Sequence, residues 1–234
     1  MPYYYYYFDP TYVLVLIGAV FCLITSAWVN SSMKKYHGVR NARGLTGAQA
    51  ATQILQDAGI YDVQVRCLQR GGGDHYDPRS KTVNLSYENF NYSTVTAVAV
   101  AAHECGHAKQ HHENYAFLRF RSALVPVANL GSYLGMPLII LGIILSWNQT
   151  LIQLGIWAFA FAVLFQLVTL PVEFDASRRA MATMETSGML GTQEAAGARK
   201  VLTAAAMTYV AAAASSILQL LRLVLLFGGN RRRD

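Results

Sequence analysis

Four stretches of the chain show neither the period of a half-buried strand nor the charged face of a soluble helix. They are Tyr12–Val29, Leu124–Leu145, Leu151–Leu170 and Ala204–Phe227, and only Arg222 places a charge in any of them. A membrane span needs about 20 predominantly apolar residues, so each qualifies by length. Tyr12–Val29 also has the position of a secretory signal. It lacks a basic segment before it and a small-residue cleavage site after it, so it is expected to stay as an anchor.

The segments between these runs alternate differently. In "LTGAQAATQILQDAGI" (45–60), Ala50, Ile54, Leu55 and Ala58 recur at helical spacing, with Thr46 as N-cap and Gly59 as stop. "VQVRCL" (63–68) alternates like a half-buried strand, "GGGDHYDPRS" (71–80) reads as a turn-rich loop, and "TVNLS" (82–86) as a second strand. A helix capped by Ser93 or Thr94 follows, through "VAVAAHECGHAKQHH". After the third run, small and charged residues at helical spacing predict that its helix continues past the membrane, and Thr192 is expected to cap the last helix.

The pattern defines a mainly α, polytopic membrane protein with about four transmembrane helices and a small α/β cytoplasmic insertion. Residues 1–29 are a tail and the first span, and 30–123 an α/β loop region with the histidine-rich helix. Residues 124–170 are the second and third spans, 171–201 a second cytoplasmic segment, and 202–234 the fourth span and a basic tail.

Composition agrees. The chain is 53% apolar and 14% charged, against about 25% charged in ordinary soluble domains. The formal net charge of +6 comes without a basic stripe interleaved with aromatics, so no nucleic-acid partner is expected. Eleven lysines and arginines, from Lys34 to Arg121, lie between the first two runs, and Arg178, Arg179, Arg199 and Lys200 between the last two. Basic residues favour the cytoplasmic side, so both large loops are expected there, in a cell membrane. "RRRD" at the C-terminus dissents, since four full crossings put it outside. The three cysteines suggest no disulfide framework. "YYYYYF" (3–8) fits an interfacial anchor.

"AAHECGHAKQHH" (101–112) carries the chemistry. His103 and His107, four apart on a helix, present two imidazoles on one face to a single Zn2+. Glu104 stands between them, where H-E-x-x-H sites place the base that handles the proton of the attacking water. The bland alternative is a helix with surface histidines, which "VAVAA" before His103 disfavours. His111 lies about 12 Å along the helix from His103, too far for one ion with bonds near 2 Å. His111 and His112 are therefore expected to face solvent or headgroups. A third ligand must come from elsewhere. Glu173 is the first acid after the third run returns to the histidine side, and two histidines with one glutamate form a catalytic zinc set that leaves one place for water. The alternative for Glu173 is an ion pair with Arg178 or Arg179. In "DHYDP" (74–78), His75 or Tyr76 is a candidate donor to an oxyanion, against a plain tight turn. The short strands also offer an edge for an extended peptide.

Long blocks, among them "GLTGAQAATQILQDAGI", "DHYDPRSKTVNLS", "AVAVAAHECGHAKQ", "LFQLVTLPVEFDASRRA" and "KVLTAAAMTYVAAAASSILQLLRLVLL", resemble the YugP-type neutral zinc metallopeptidases of bacterial membranes, nearly end to end. The resemblance implies a multi-pass zinc peptidase. The site alone is similar to membrane gluzincins of the HtpX and CAAX-protease type, which add E-x-x-x-D on a later helix. Here "EFDAS" matches with Glu173 in the ligand place, but Ser177 stands where those families have the aspartate that supports a zinc-binding histidine. Asp175 is the alternative for that role.

The combined expectation is a membrane zinc endopeptidase acting on membrane proteins or their juxtamembrane tails, with the bilayer as its other partner. The rival is a non-catalytic scaffold with a structural zinc. A metal transporter would want ionisable groups in several spans, and three of the four have none.

Overall fold

The structure, a computed structural model, describes residues 9–69 and 72–228. "YYYYYF", "RRRD" and Arg70 lie outside the described residues. Four helices are long and apolar enough to cross a membrane: α1 (Tyr12–His37), α5 (Ala116–Ile144), α6 (Gln149–Thr186) and α7 (Thr192–Phe227). With a small three-stranded sheet and shorter helices, they make a mainly α, multi-pass membrane protein. Each long helix contributes to two compact units, one formed by residues 9–24, 124–167 and 211–228, the other by the described residues of 25–123 and by 168–210.

In the first unit, small residues let apolar helices meet backbone to backbone, the packing available where lipid competes for side-chain contacts. A methyl group at Gly155 of α6 would lie 2.6 Å from the Gly135 carbonyl oxygen of α5. The turn joining them uses left-handed Ser146 and Trp147, and Asn148 accepts from the Leu151 N–H at 3.2 Å to start α6. Arg222, the lone charge in the four runs, is neutralised within this unit. It donates to Asp9 Oδ2 at 3.0 Å and lies 4.1 Å over the Tyr12 ring, the pairing a buried membrane charge requires.

The second unit is built around α4 (Val95–His112). The helix is buried on every face over Val95–Ala102 and mostly buried beyond, which suits its alanine-rich, weakly amphipathic sequence. Thr94 caps it, accepting from the Ala97 N–H at 3.2 Å. Against it packs α2 (Gly47–Asp57), through Ala51, Ile54 and Leu55. Thr46 and Gln49 close a reciprocal capping box at the start of α2. The sheet has strand order β1 (Gln64–Leu68), β3 (Thr82–Ser86), β2 (His75–Asp77), with β1 parallel and β2 antiparallel to β3.

Three local expectations change. The loop 71–80 contains a strand, β2, because the Asp77–Ser80 turn folds it back on β3. Asp77 accepts from the Arg79 N–H at 2.9 Å and the Ser80 hydroxyl at 2.6 Å. A short helix, α3 (Tyr87–Asn91), follows β3, held from a distance by Asp74, which accepts from the Ser86 N–H and the Asn89 amide. The cap of α7 is Gly191 rather than Thr192. The Gly191 carbonyl accepts from Ala195, and its N–H donates to Glu194 at 2.8 Å.

The helix α6 runs unbroken past Leu170, as its pattern predicts, and crosses α4 at Gly106. A methyl group there would lie 2.6 Å from the Ala176 carbonyl oxygen. Only glycine permits this approach, since backbone on a packed helix cannot give way cheaply. Gly106→Ala is therefore expected to lower stability by about 1–3 kcal/mol and to weaken zinc retention with it, read by thermal denaturation in detergent with and without the metal.

Candidate metal centre

Two helices meet at the site. His103 and His107 project from α4 with ring centroids 4.8 Å apart and planes at 83°. Glu173 projects from α6, three residues beyond the Leu170 end of the apolar run. Its Oε2 lies 3.3 Å from His103 Nε2 and 3.6 Å from His107 Nε2. The ligand atoms of all three lie within 4.8 Å of one another. Two ligands on a tetrahedral zinc with bonds near 2.1 Å stand about 3.4 Å apart. Glu173 Oε2 is also buried without a well-formed hydrogen bond, and such an orphaned carboxylate oxygen aimed at two imidazole nitrogens fits a cation. These residues suit zinc in donor type, number and spacing.

Electrostatics point the same way. Burial opposes the Glu173 charge, but His103 and His107 outweigh it and hold the carboxyl well below its usual range. Burial lowers the His107 pKa, and Glu173 and Glu104 more than offset that, leaving it raised. Arg121 contributes a further positive charge 3.8 Å from Glu173 Oε1. Arg178 and Arg179, the alternative partners of Glu173, pair instead with Asp175, Arg179 Nε at 2.5 Å.

Both histidines are backed. Ser177 Oγ lies 3.2 Å from His103 Nδ1, so serine occupies the supporting place itself. Asp175 serves the other histidine indirectly. His107 Nδ1 lies 3.0 Å from Gln110 Oε1, and the Gln110 amide donates to the Val172 carbonyl at 2.8 Å and Asp175 Oδ2 at 3.0 Å. Gln110 is fully buried and was not anticipated, although its place three residues after His107 puts it on the histidine face of the helix.

Glu104 is 7% exposed. Its Oε2 accepts the Tyr76 backbone N–H at 2.9 Å, which ties the edge strand β2 to the histidine helix. The two oxyanion-donor candidates, His75 and Tyr76, fare differently from their sequence reading. Neither side chain lines the cavity at the metal ligands. His75 Nδ1 contacts the Gly73 carbonyl at 2.9 Å and its Nε2 the Asn84 amide. The Tyr76 hydroxyl lies 2.7 Å from His111 Nδ1. Burial, with Asp62 and Asp77 nearby, pushes Tyr76 up to about 12. His111 is thus half-buried and paired, not solvent-facing, while His112 is exposed. The tyrosine that does line the cavity, together with Glu173, is Tyr209 of α7. It was missed because it sits inside an apolar run.

An apolar multi-helix protein with two helical histidines, a glutamate from a second helix and an acid between the histidines has the architecture of the membrane zinc peptidases. The chain belongs to the family described as "Putative neutral zinc metallopeptidase", whose sequence profile matches residues 11–228. It is 45% identical over 203 residues to "Putative membrane protease YugP" of Bacillus subtilis (strain 168), which covers 87% of this chain and 90% of that one. No solved structure matches it.

The geometry separates ligand from support. Glu173→Ala is expected to lose most bound zinc in dialysis against a weak chelator. Asp175→Ala and Gln110→Leu, which leave the three donor side chains in place, should keep the metal with affinity reduced about 10–100-fold.

Proposed function

We infer that this chain is an integral-membrane zinc metalloendopeptidase that binds one zinc ion through His103, His107 and Glu173 and hydrolyses peptide bonds in membrane or juxtamembrane protein substrates. The observation that carries this reading is the shared cavity: His103, Glu104 and Glu173 line the same space. When bound, zinc supplies a Lewis acid for the scissile carbonyl and makes water nucleophilic near neutral pH.

The chain's own residues supply the rest. Glu104 takes the proton from the attacking water and returns it to the leaving amine. The Tyr76 N–H holds its carboxylate in place. Gln110 and Ser177 fix the two imidazoles so that each Nε2 faces Glu173. Tyr209, which lines the same cavity, offers a hydroxyl to a developing oxyanion.

A structural zinc on a non-catalytic scaffold is less well supported. Such sites use four protein ligands, and among the described residues the cluster supplies three. A structural site also needs no base, whereas Glu104 lines the same cavity as His103 and Glu173. Glu104→Gln is expected to keep zinc content near wild type while abolishing peptide hydrolysis, measured as zinc stoichiometry and peptide cleavage on one preparation.

The active site faces the cytoplasm in this reading, on the strength of the basic residues flanking the runs. In a background without the native cysteines, Lys35→Cys and Tyr61→Cys should resist impermeant thiol reagents in intact cells and react after lysis. Tyr61 is 81% exposed, so protection there would reflect the membrane and not burial.

A further inference from the structure

The cavity at the metal ligands has a lining of two kinds. Asp74, His103, Glu104, Glu173 and Ser177 are polar. Met33 of α1, Val100 of α4 and Val201, Leu202, Ala205 and Ala206 of α7 are apolar and wall a recess. The recess follows from residue size along one helix face. Val201, Ala205 and Tyr209 stand four apart, as do Leu202 and Ala206, so they form one stripe. The two alanines lie mid-stripe between larger neighbours and leave a dent in the helix surface. The cavity measures about 160 Å³, below the ~300–1,000 Å³ of sites that hold drug-sized ligands. It has the scale of one side chain.

We propose that this recess is the specificity pocket of the site and takes one medium-sized aliphatic side chain, of leucine or methionine type, flanking the scissile bond. The proposal rests on the peptidase reading above and adds to it the substrate class. An aliphatic group entering the recess exchanges water for apolar contact. An acidic group would be buried against the field of Asp74, Glu104 and Glu173, which line the same cavity. Ala206 is the size gate, because it is small, 6% exposed and at the centre of the stripe.

The test uses simple hydroxamates, which chelate zinc and carry one variable substituent, with binding to the zinc-loaded full chain in detergent measured calorimetrically. Isocaprohydroxamate, with a leucine-like substituent, should bind at least about tenfold tighter than acetohydroxamate, since added methylenes in an apolar pocket are worth roughly 10–200-fold. Succinic monohydroxamate should show no such gain. Ala206→Phe should abolish the aliphatic advantage while acetohydroxamate affinity stays within a fewfold. Val201→Ala, which enlarges the same recess, should move the optimum towards phenylpropionohydroxamate, and it carries the test if the larger residue prevents folding.

Equal binding of isocapro- and acetohydroxamate by the wild type would overturn the pocket. So would an aliphatic preference that survives Ala206→Phe, or a raised melting temperature in that variant with selectivity unchanged, which marks a mere packing gap. If the wild type retains no zinc and binds no hydroxamate, the peptidase reading itself fails, and the pocket with it.

Discussion

A carboxylate buried against two imidazoles is the constraint on which the rest depends. Glu173 is 3% exposed. Taking an ionised carboxylate out of water costs several kcal/mol unless positive charge and hydrogen bonds compensate. The compensation among the residues is His103, His107 and Arg121, and the same donor set suits a divalent cation. It works only because α4 and α6 cross closely, and Gly106 against Ala176 sets that distance. One missing side chain on α4 therefore lets an acid on a different helix, nearly seventy residues on, reach the histidine pair.

Polar contacts then lock the crossing along its length. Ser177 meets His103, Gln110 meets Val172 and Asp175, Lys109 donates to Thr183 at 2.8 Å, and Arg179 bridges Asp175 to Glu113 at 2.6 Å. The two acids of "EFDAS" divide the labour by helical geometry. Two residues apart, they point about 200° away from each other, so Glu173 faces the imidazoles and Asp175 the arginines and Gln110. In the first unit the close helix approaches are made by small residues such as Gly135 and Gly155, with Arg222 held by Asp9.

Much of this was legible along the chain because the signals are local. The capping box of α2, the pair of strands around "DHYDP" and the i, i+4 histidines each lie within a few residues, and the acid after the third run follows from counting membrane crossings. What was not legible depends on contacts across the fold. β2 is three residues long and exists only because β3 pairs with it. α3 is held by Asp74 from twelve residues upstream. Tyr209 looks like any residue of an apolar helix until the face it turns to Glu173 is known. Gln110 is the exception, since its spacing from His107 was available and its role could have been read.

The same contrast explains the placement of "DHYDP". Sequence logic sends a histidine or tyrosine side chain towards an active site, because those groups do chemistry. In a strand, neighbouring side chains point to opposite faces while backbone groups point to the edges. At β2 it is the Tyr76 N–H, a group every non-proline residue carries, that reaches Glu104. The Tyr76 ring turns instead to His111. Residue type at this position is thus decided by the Tyr76–His111 contact, whereas the contact that bears on the site is decided by strand register. A substitution that preserves β2 pairing but changes the Tyr76 ring alters the support of α4's C-terminal turn and leaves the donor to Glu104 in place. Proline at position 76 spares the ladder to β3, which the Tyr76 N–H does not join, and removes the donor to Glu104 directly.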